Sequence, residues 1–138
     1  MPGISKMKNL IIVTGGAGFV GSNLIEILLK KTKFKIISLD NYSSGSKKNH
    51  IQDRRLKYIN GNTSNIKKIL NNFKSNINTT FHFGEFARIY QSFKNFDSCY
   101  DSNSIGSKAV FKFCLDNKIK LVYSATSASL GNKGRDKN

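Results

Sequence analysis

A chain of 138 residues, 38% hydrophobic and 22% charged, is long enough for one domain with a real core and ordinary enough in composition to be globular. Its formal charge of +15 is spread along the chain and not gathered into one basic block. That scatter, in a sequence also rich in Asn and Ile, argues against a nucleic-acid partner. No apolar run approaches the roughly 20 residues of a membrane span, so a membrane partner is not expected.

The first residues carry Lys6 and Lys8 but no signal-peptide pattern. Residues 1–6 read as a disordered extension. Leu10–Val13 is a short apolar run and predicts a buried strand. Gly15, Gly16, Gly18 and Gly21 follow it. Then comes a helical pattern with Val20, Leu24, Ile27 and Leu28 expected on its apolar face. Strand, glycine turn and helix in that order are the context of a dinucleotide fingerprint. One glycine makes the tight turn, one lets backbone approach a pyrophosphate, and one lets helix and strand pack closely. The phosphates would rest on the free N–H groups at the helix N-terminus.

A second strand is expected over Lys35–Leu39, ending at Asp40. An acid about 20 residues past the glycine loop is the remaining part of the fingerprint, accepting hydrogen bonds from ribose hydroxyls. Asn41 follows where an Arg or Lys would favour a 2′-phosphate, so NAD is expected over NADP. Tyr42–Arg55 is polar and reads as a loop. Leu56–Ile59 predicts a third strand. Ile66, Ile69, Leu70 and Phe73 have helical spacing behind Thr63-Ser64-Asn65, which reads as an N-cap.

Thr79–Phe83 predicts a fourth strand. Ile105, Ala109, Val110, Phe113 and Cys114 predict a helix ending near Asp116-Asn117, with Asn117 in a left-handed cap. Lys120–Ser124 predicts a fifth strand, and residues 132–138 read as a polar tail. Cys99 and Cys114 give no disulfide framework, which favours a cytoplasmic setting. His82 reads as a buried strand-end residue and His50 lies in the loop, so no metal site is expected.

Alternating strands and helices predict an α/β fold: a doubly wound parallel sheet of Rossmann type, in three layers. Ligands in such sheets bind beyond the carboxyl ends of the strands, where strand order reverses. That rule selects Thr14–Gly18, Asp40-Asn41, Gly61-Asn62-Thr63, Phe83-Gly84-Glu85 and Ser124-Ala125-Thr126.

These segments resemble the extended short-chain dehydrogenase/reductases, in their NAD-dependent epimerase/dehydratase branch. Thr14-Gly15-Gly16-Ala17-Gly18-Phe19-Val20-Gly21 is similar to that family's TGxxGxxG loop. Asp40-Asn41 with Ser43-Ser44-Gly45 resembles the ribose-holding segment of UDP-glucose 4-epimerases. Gly61-Asn62 resembles the Gly-Asp pair near the adenine. His82-Phe83-Gly84-Glu85 and Asn103 with Gly106-Ser107 resemble two further segments, and Tyr123-Ser124-Ala125-Thr126 the catalytic Ser/Thr strand.

The resemblance implies NAD as cofactor, held by Gly15, Gly18, Phe19, Val20, Gly21, Asp40, Asn41, Ser44, Gly45, Asn62, Thr63, Phe83, Gly84, Asn103 and Ser124. It implies Thr126 as the catalytic hydroxyl and a nucleotide sugar as substrate, with a homodimer as a further expectation. In the family a Tyr-x-x-x-Lys pair follows the catalytic Ser/Thr by about two dozen residues, and no such pair follows Thr126 in the sequence to Asn138. The expectation is therefore an NAD-binding domain over residues 1–138, cut before the last strands and the C-terminal substrate domain, and inactive alone. The alternative is a stand-alone dinucleotide-binding module without catalysis.

Overall fold

The computed structural model describes residues 7–83 and 105–123. Five strands form one sheet: β1 (Leu10–Thr14), β2 (Lys35–Asp40), β3 (Leu56–Asn60), β4 (Ile77–His82) and β5 (Lys120–Tyr123). Their order is β3-β2-β1-β4-β5, and all four pairings are parallel. The strand order reverses between β1 and β4. The sequence-based expectation of a doubly wound parallel sheet is met.

Both faces are covered, which is why the strands are apolar runs and not strict alternations. Side chains alternate across each strand. Leu10, Ile12, Ile37 and Leu39 point into one core with Ile66, Leu70, Val110 and Phe113. Ile11, Val13 and Ile36 point into the other, with Ile25 and Leu29. The helices that complete these layers are α1 (Phe19–Lys31), the short α2 (Ile66–Ile69) and α3 (Ser107–Asp116). Register shifts once between β1 and β4: Leu10 pairs with Ile77 but Ile11 with Thr79. The extra residue, Asn78, keeps Ile77 and Thr80 in the same core as Leu10 and Ile12.

Three local expectations are corrected. The buried face of α1 is Gly21, Ile25 and Leu29, with Leu24 and Leu28 partly buried. Val20 and Ile27 are more than half exposed. A Cβ at Gly21 would collide with the Gly15 carbonyl, so the bare Cα of Gly21 lies against the loop. That contact turns the 21-25-29 row to the sheet.

The segment behind Thr63-Ser64-Asn65 is not one helix. A 3-10 turn (Thr63–Asn65), the single turn of α2 and a further 3-10 run (Asn71–Asn76) follow one another. Ile66 and Leu70 are buried as expected, with Ile69 and Phe73 packed beside them. No side chain of Thr63-Ser64-Asn65 caps α2; the Asn65 N–H instead donates to the Asn62 carbonyl at 3.0 Å.

At the end of α3 the left-handed residue is Lys118 (φ 55°), not Asn117 (φ −107°). The Lys118 N–H reaches the Leu115 carbonyl at 3.3 Å and the Ile119 N–H reaches Cys114 at 2.8 Å. That pair of bonds is a Schellman motif. It folds Ile119 back among Cys114 and Phe113 in the core.

Candidate functional site

The site forms where β1, β2, β3 and β4 end. Gly15 takes φ 72°, a left-handed conformation that suits glycine. Its N–H donates to the Leu39 carbonyl at 2.8 Å, and its carbonyl accepts the Gly18 N–H at 3.0 Å. The chain thus turns sharply from β1 into α1. Gly16 packs onto β2, where a Cβ would overlap the Ser38 side chain.

Gly18 is the N-cap of α1, with no side-chain cap and no acidic residue in the first turn. The opening N–H groups of a helix have no partner within it. Among the described residues no side-chain cap and no first-turn acid is supplied to them. A Cβ at Gly18 would meet only the Gly15 carbonyl oxygen, at 3.3 Å. Among the described residues nothing else stands within 4 Å of that position, in front of the helix N-terminus. Bare N–H donors, a positive dipole end and room for close approach form a cradle for an anion.

Asp40 closes the other side. It is buried, and both carboxylate oxygens are engaged. The Ala17 N–H donates to Oδ2 at 3.0 Å and the Tyr42 N–H to Oδ1 at 2.8 Å. Tyr42 has φ 62°, which turns the chain so that its amide faces the carboxylate. The loop beyond then clamps the glycine turn. The Ser46 N–H and the Asn49 side-chain amide both donate to the Ala17 carbonyl, at 3.0 and 2.7 Å. The Ala17 residue is held at both its amide and its carbonyl.

An aromatic cluster anchors that loop. The Tyr42 hydroxyl bonds His50 Nε2 at 2.7 Å, and the His50 ring stacks on Tyr58 with centroids 3.7 Å apart. Burial raises the pKa of both tyrosines, with the Asp40 charge adding to the effect at Tyr42. Both hydroxyls therefore stay protonated at neutral pH.

A crevice opens between these parts, lined by Gly15, Gly18, Leu39, Asp40, Asn41, Ser43, Ser44, Gly61, Thr63 and Phe83. Seven expected site residues meet there: Gly15, Gly18, Asp40, Asn41, Ser44, Thr63 and Phe83. Asn62 stands at the rim, its Oδ1 accepting from Asn41 Nδ2 at 2.8 Å. Phe19 and Val20 lie at the start of α1 with exposed side chains, so their backbone amides are what they offer.

Gly21 and Gly45 are in supporting positions. Gly21 allows the helix to approach the loop. A Cβ at Gly45 would stand 2.8 Å from Asp40 Oδ2 and 3.0 Å from the Ala17 carbonyl carbon. Ser43 and Gly61, which belong to the segments singled out in the sequence, also line the crevice, and so does Leu39, which was not singled out. Leu39 precedes Asp40, so adjacency to a strand end was the available signal. Gly84, Asn103, Ser124 and Thr126 lie outside the described residues, as do Glu85 and Cys99. The chain's one Tyr-x-x-x-Lys spacing, Tyr90 to Lys94, precedes Thr126 and also lies outside them.

Beneath the crevice, at the point of strand-order reversal, Thr14 and His82 are paired across β1 and β4. Thr14 Oγ1 and His82 Nδ1 are 2.7 Å apart, and His82 Nε2 lies 2.9 Å from the Ser107 hydroxyl. The Phe83 N–H donates to Thr14 Oγ1 at 2.8 Å. His82 is fully buried, and burial lowers its pKa to about 4. The ring is neutral at physiological pH.

Among the described residues no His, Cys, Asp and Glu gather in a metal-binding group, and no helix is long and apolar enough to cross a membrane.

The sequence matches a model of the NAD dependent epimerase/dehydratase family over residues 11–138. Among solved structures, the fold is similar to an epimerase from Methanothermobacter thermautotrophicus, at 27% identity and TM-score 0.77, covering 88% of this chain and 36% of that one. It is similar to a UDP-glucose 4-epimerase from Thermotoga maritima determined with UDP-glucose, at 25% identity and TM-score 0.74, covering 84% and 37%. It is also similar to the enzyme WbmG of Bordetella bronchiseptica in complex with NAD, at 26% identity and TM-score 0.73, covering 83% and 36%. The chain spans little more than a third of the length of these structures.

Proposed function

The chain belongs to the NAD-dependent epimerase/dehydratase family, and from that premise we infer that residues 1–138 bind NAD and form the cofactor half of a nucleotide-sugar epimerase or dehydratase. The observation that carries this reading is the uncapped start of α1 at Gly18, open toward a crevice whose other wall is Asp40. A dinucleotide needs both features at once, an anion cradle for its pyrophosphate and a carboxylate for its ribose.

The residues fit the group. The amides of Phe19 and Val20 would take the pyrophosphate. Asp40 has its second lone pairs left for ribose hydroxyls, since each oxygen accepts one backbone N–H. Its charge repels a 2′-phosphate, so NAD is preferred over NADP. Asn41, Ser44, Asn62 and Thr63 border the adenosine end, and Phe83 gives that wall an apolar surface. Gly84, Asn103 and Ser124 extend the contact set by family resemblance.

Bound NAD supplies a hydride acceptor and donor. In the family reaction a base takes the proton of a sugar hydroxyl, and a Ser/Thr hydroxyl bonds the same oxygen. Thr126 matches that hydroxyl. The base is expected from a Tyr-x-x-x-Lys pair beyond Thr126, so residues 1–138 by themselves bind cofactor without turning over sugar. Titration calorimetry with NAD and NADP tests the reading. Saturable NAD binding, weaker for NADP, supports it; equal or tighter NADP binding overturns the role of Asp40, and no binding of either overturns the whole.

A further inference from the structure

We propose that His82 is a positioning residue that sets the wall of the crevice through Thr14 and ties it to the start of α3 and the end of β5. The proposal rests on NAD binding as inferred above and goes beyond it. His82 is not among the residues that line the crevice, and it is fully buried. Three elements nonetheless meet on it.

Nδ1 bonds the Thr14 hydroxyl at the end of β1. That hydroxyl accepts the N–H of Phe83, a residue that lines the crevice. Nε2 bonds Ser107, the first residue of α3. The Tyr123 ring, at the end of β5, stacks on the imidazole with centroids 5.5 Å apart, and Phe111 of α3 packs edge-on to both rings.

A purely structural histidine in this place would need only to fill space and satisfy its nitrogens. This one joins the glycine-loop strand, the crevice wall and the end of β5 through hydrogen bonds and ring contacts of fixed geometry. Buried networks of this kind fix one arrangement because any other leaves a polar group unpaired in a low-dielectric interior. The consequence is that the spacing between the cofactor wall and the end of β5 is held by the His82 ring.

The experiment uses the 138-residue chain and NAD titrations of the wild type, Thr14→Val, Thr14→Ser and Ser107→Ala, with thermal melts of each. Thr14→Val keeps the shape and removes the hydroxyl, and should weaken NAD binding about tenfold, the equivalent of one lost buried hydrogen bond. Thr14→Ser restores the hydroxyl and should return affinity to within about twofold of wild type. If Thr14→Val does not fold, Ser107→Ala removes the far link and should still weaken binding about threefold, at the low end of what one such bond contributes.

A second readout follows the ring itself. In chain labelled with ¹⁵N-histidine, NAD should shift the His82 ring nitrogen resonances, although NAD does not touch the ring. Wild type that binds NAD with no ring shift, and folded Thr14→Val and Ser107→Ala variants that bind like wild type, overturn the positioning role alone. Wild type that fails to bind NAD overturns the inferred function and the positioning role with it.

Discussion

The Ala17 N–H donates to the Asp40 carboxylate at 3.0 Å, joining the glycine loop to the end of β2. The acid of the fingerprint is therefore a strut for the loop as well as a candidate ribose ligand. Asp40→Asn replaces one acceptor with an N–H₂ that faces a backbone N–H. This variant should lose about 1–3 kcal/mol of stability and most of its discrimination between NAD and NADP. Denaturant melts and paired cofactor titrations check both. A variant as stable as wild type would mean that the carboxylate does not hold the loop.

Two glycines in the same loop should respond differently to a side chain. Gly18 has φ −83° and ψ 177°, a backbone that valine adopts without strain, and its Cβ would meet one atom of the described residues, the Gly15 carbonyl oxygen at 3.3 Å, which a small shift relieves. Gly18→Val should abolish NAD binding while the melting temperature barely moves. Gly21→Ala places a methyl on the Gly15 carbonyl and should cost about 1–3 kcal/mol through overpacking. Thermal melts beside cofactor titrations separate the two effects. NAD affinity unchanged in Gly18→Val would remove the phosphates from this loop.

Stability should depend on pH through His82. Its folded pKa of about 4 lies below the unfolded value of 6.5, so the unfolded chain binds the proton more readily. The contribution is complete above pH 6.5, falls as pH drops toward 4, and is gone below that. The full loss amounts to about 3 kcal/mol. Urea melts of wild type and His82→Gln between pH 7 and 4 measure it as the difference in slope. Parallel pH profiles would show that the ring stays uncharged in both states or charged in both.

Residues 1–138 incubated with NAD and UDP-glucose should give no detectable UDP-galactose. A missing general base typically costs about 10²–10⁴ in rate, and positioning of the sugar is a further requirement. Product analysis by chromatography is the check. Turnover that disappears in Tyr90→Phe would place the base at Tyr90, with Lys94 four residues on.

The glycine loop, the strand-end acid and the α/β class were legible because each is a local pattern. Leu10–Val13 is apolar through the length of a short strand, and glycines follow where the chain must turn. Seven of the expected site residues line one crevice because strand ends in a parallel sheet converge at a strand-order reversal, whatever the side chains between them.

The roll of α1 was not legible. Val20 and Ile27 are as apolar as Ile25, and periodicity alone does not rank neighbouring rows. The contact of Gly21 with Gly15 decided it. The break after Ile69 was hidden in the same way, since 66, 69, 70 and 73 keep helical spacing while the backbone tightens into 3-10 turns.

The sequence by itself determined which segments are strands, where the glycine turn must fall and which acid closes it, because those depend on backbone conformation and burial over a few residues. Only the tertiary structure decided what His82 and Asp40 hold. Their partners lie 68 and 25 residues away for His82 and 23 for the Ala17 amide. A buried polar atom takes whichever partner the packed sheet brings within reach, and local sequence does not encode that distance.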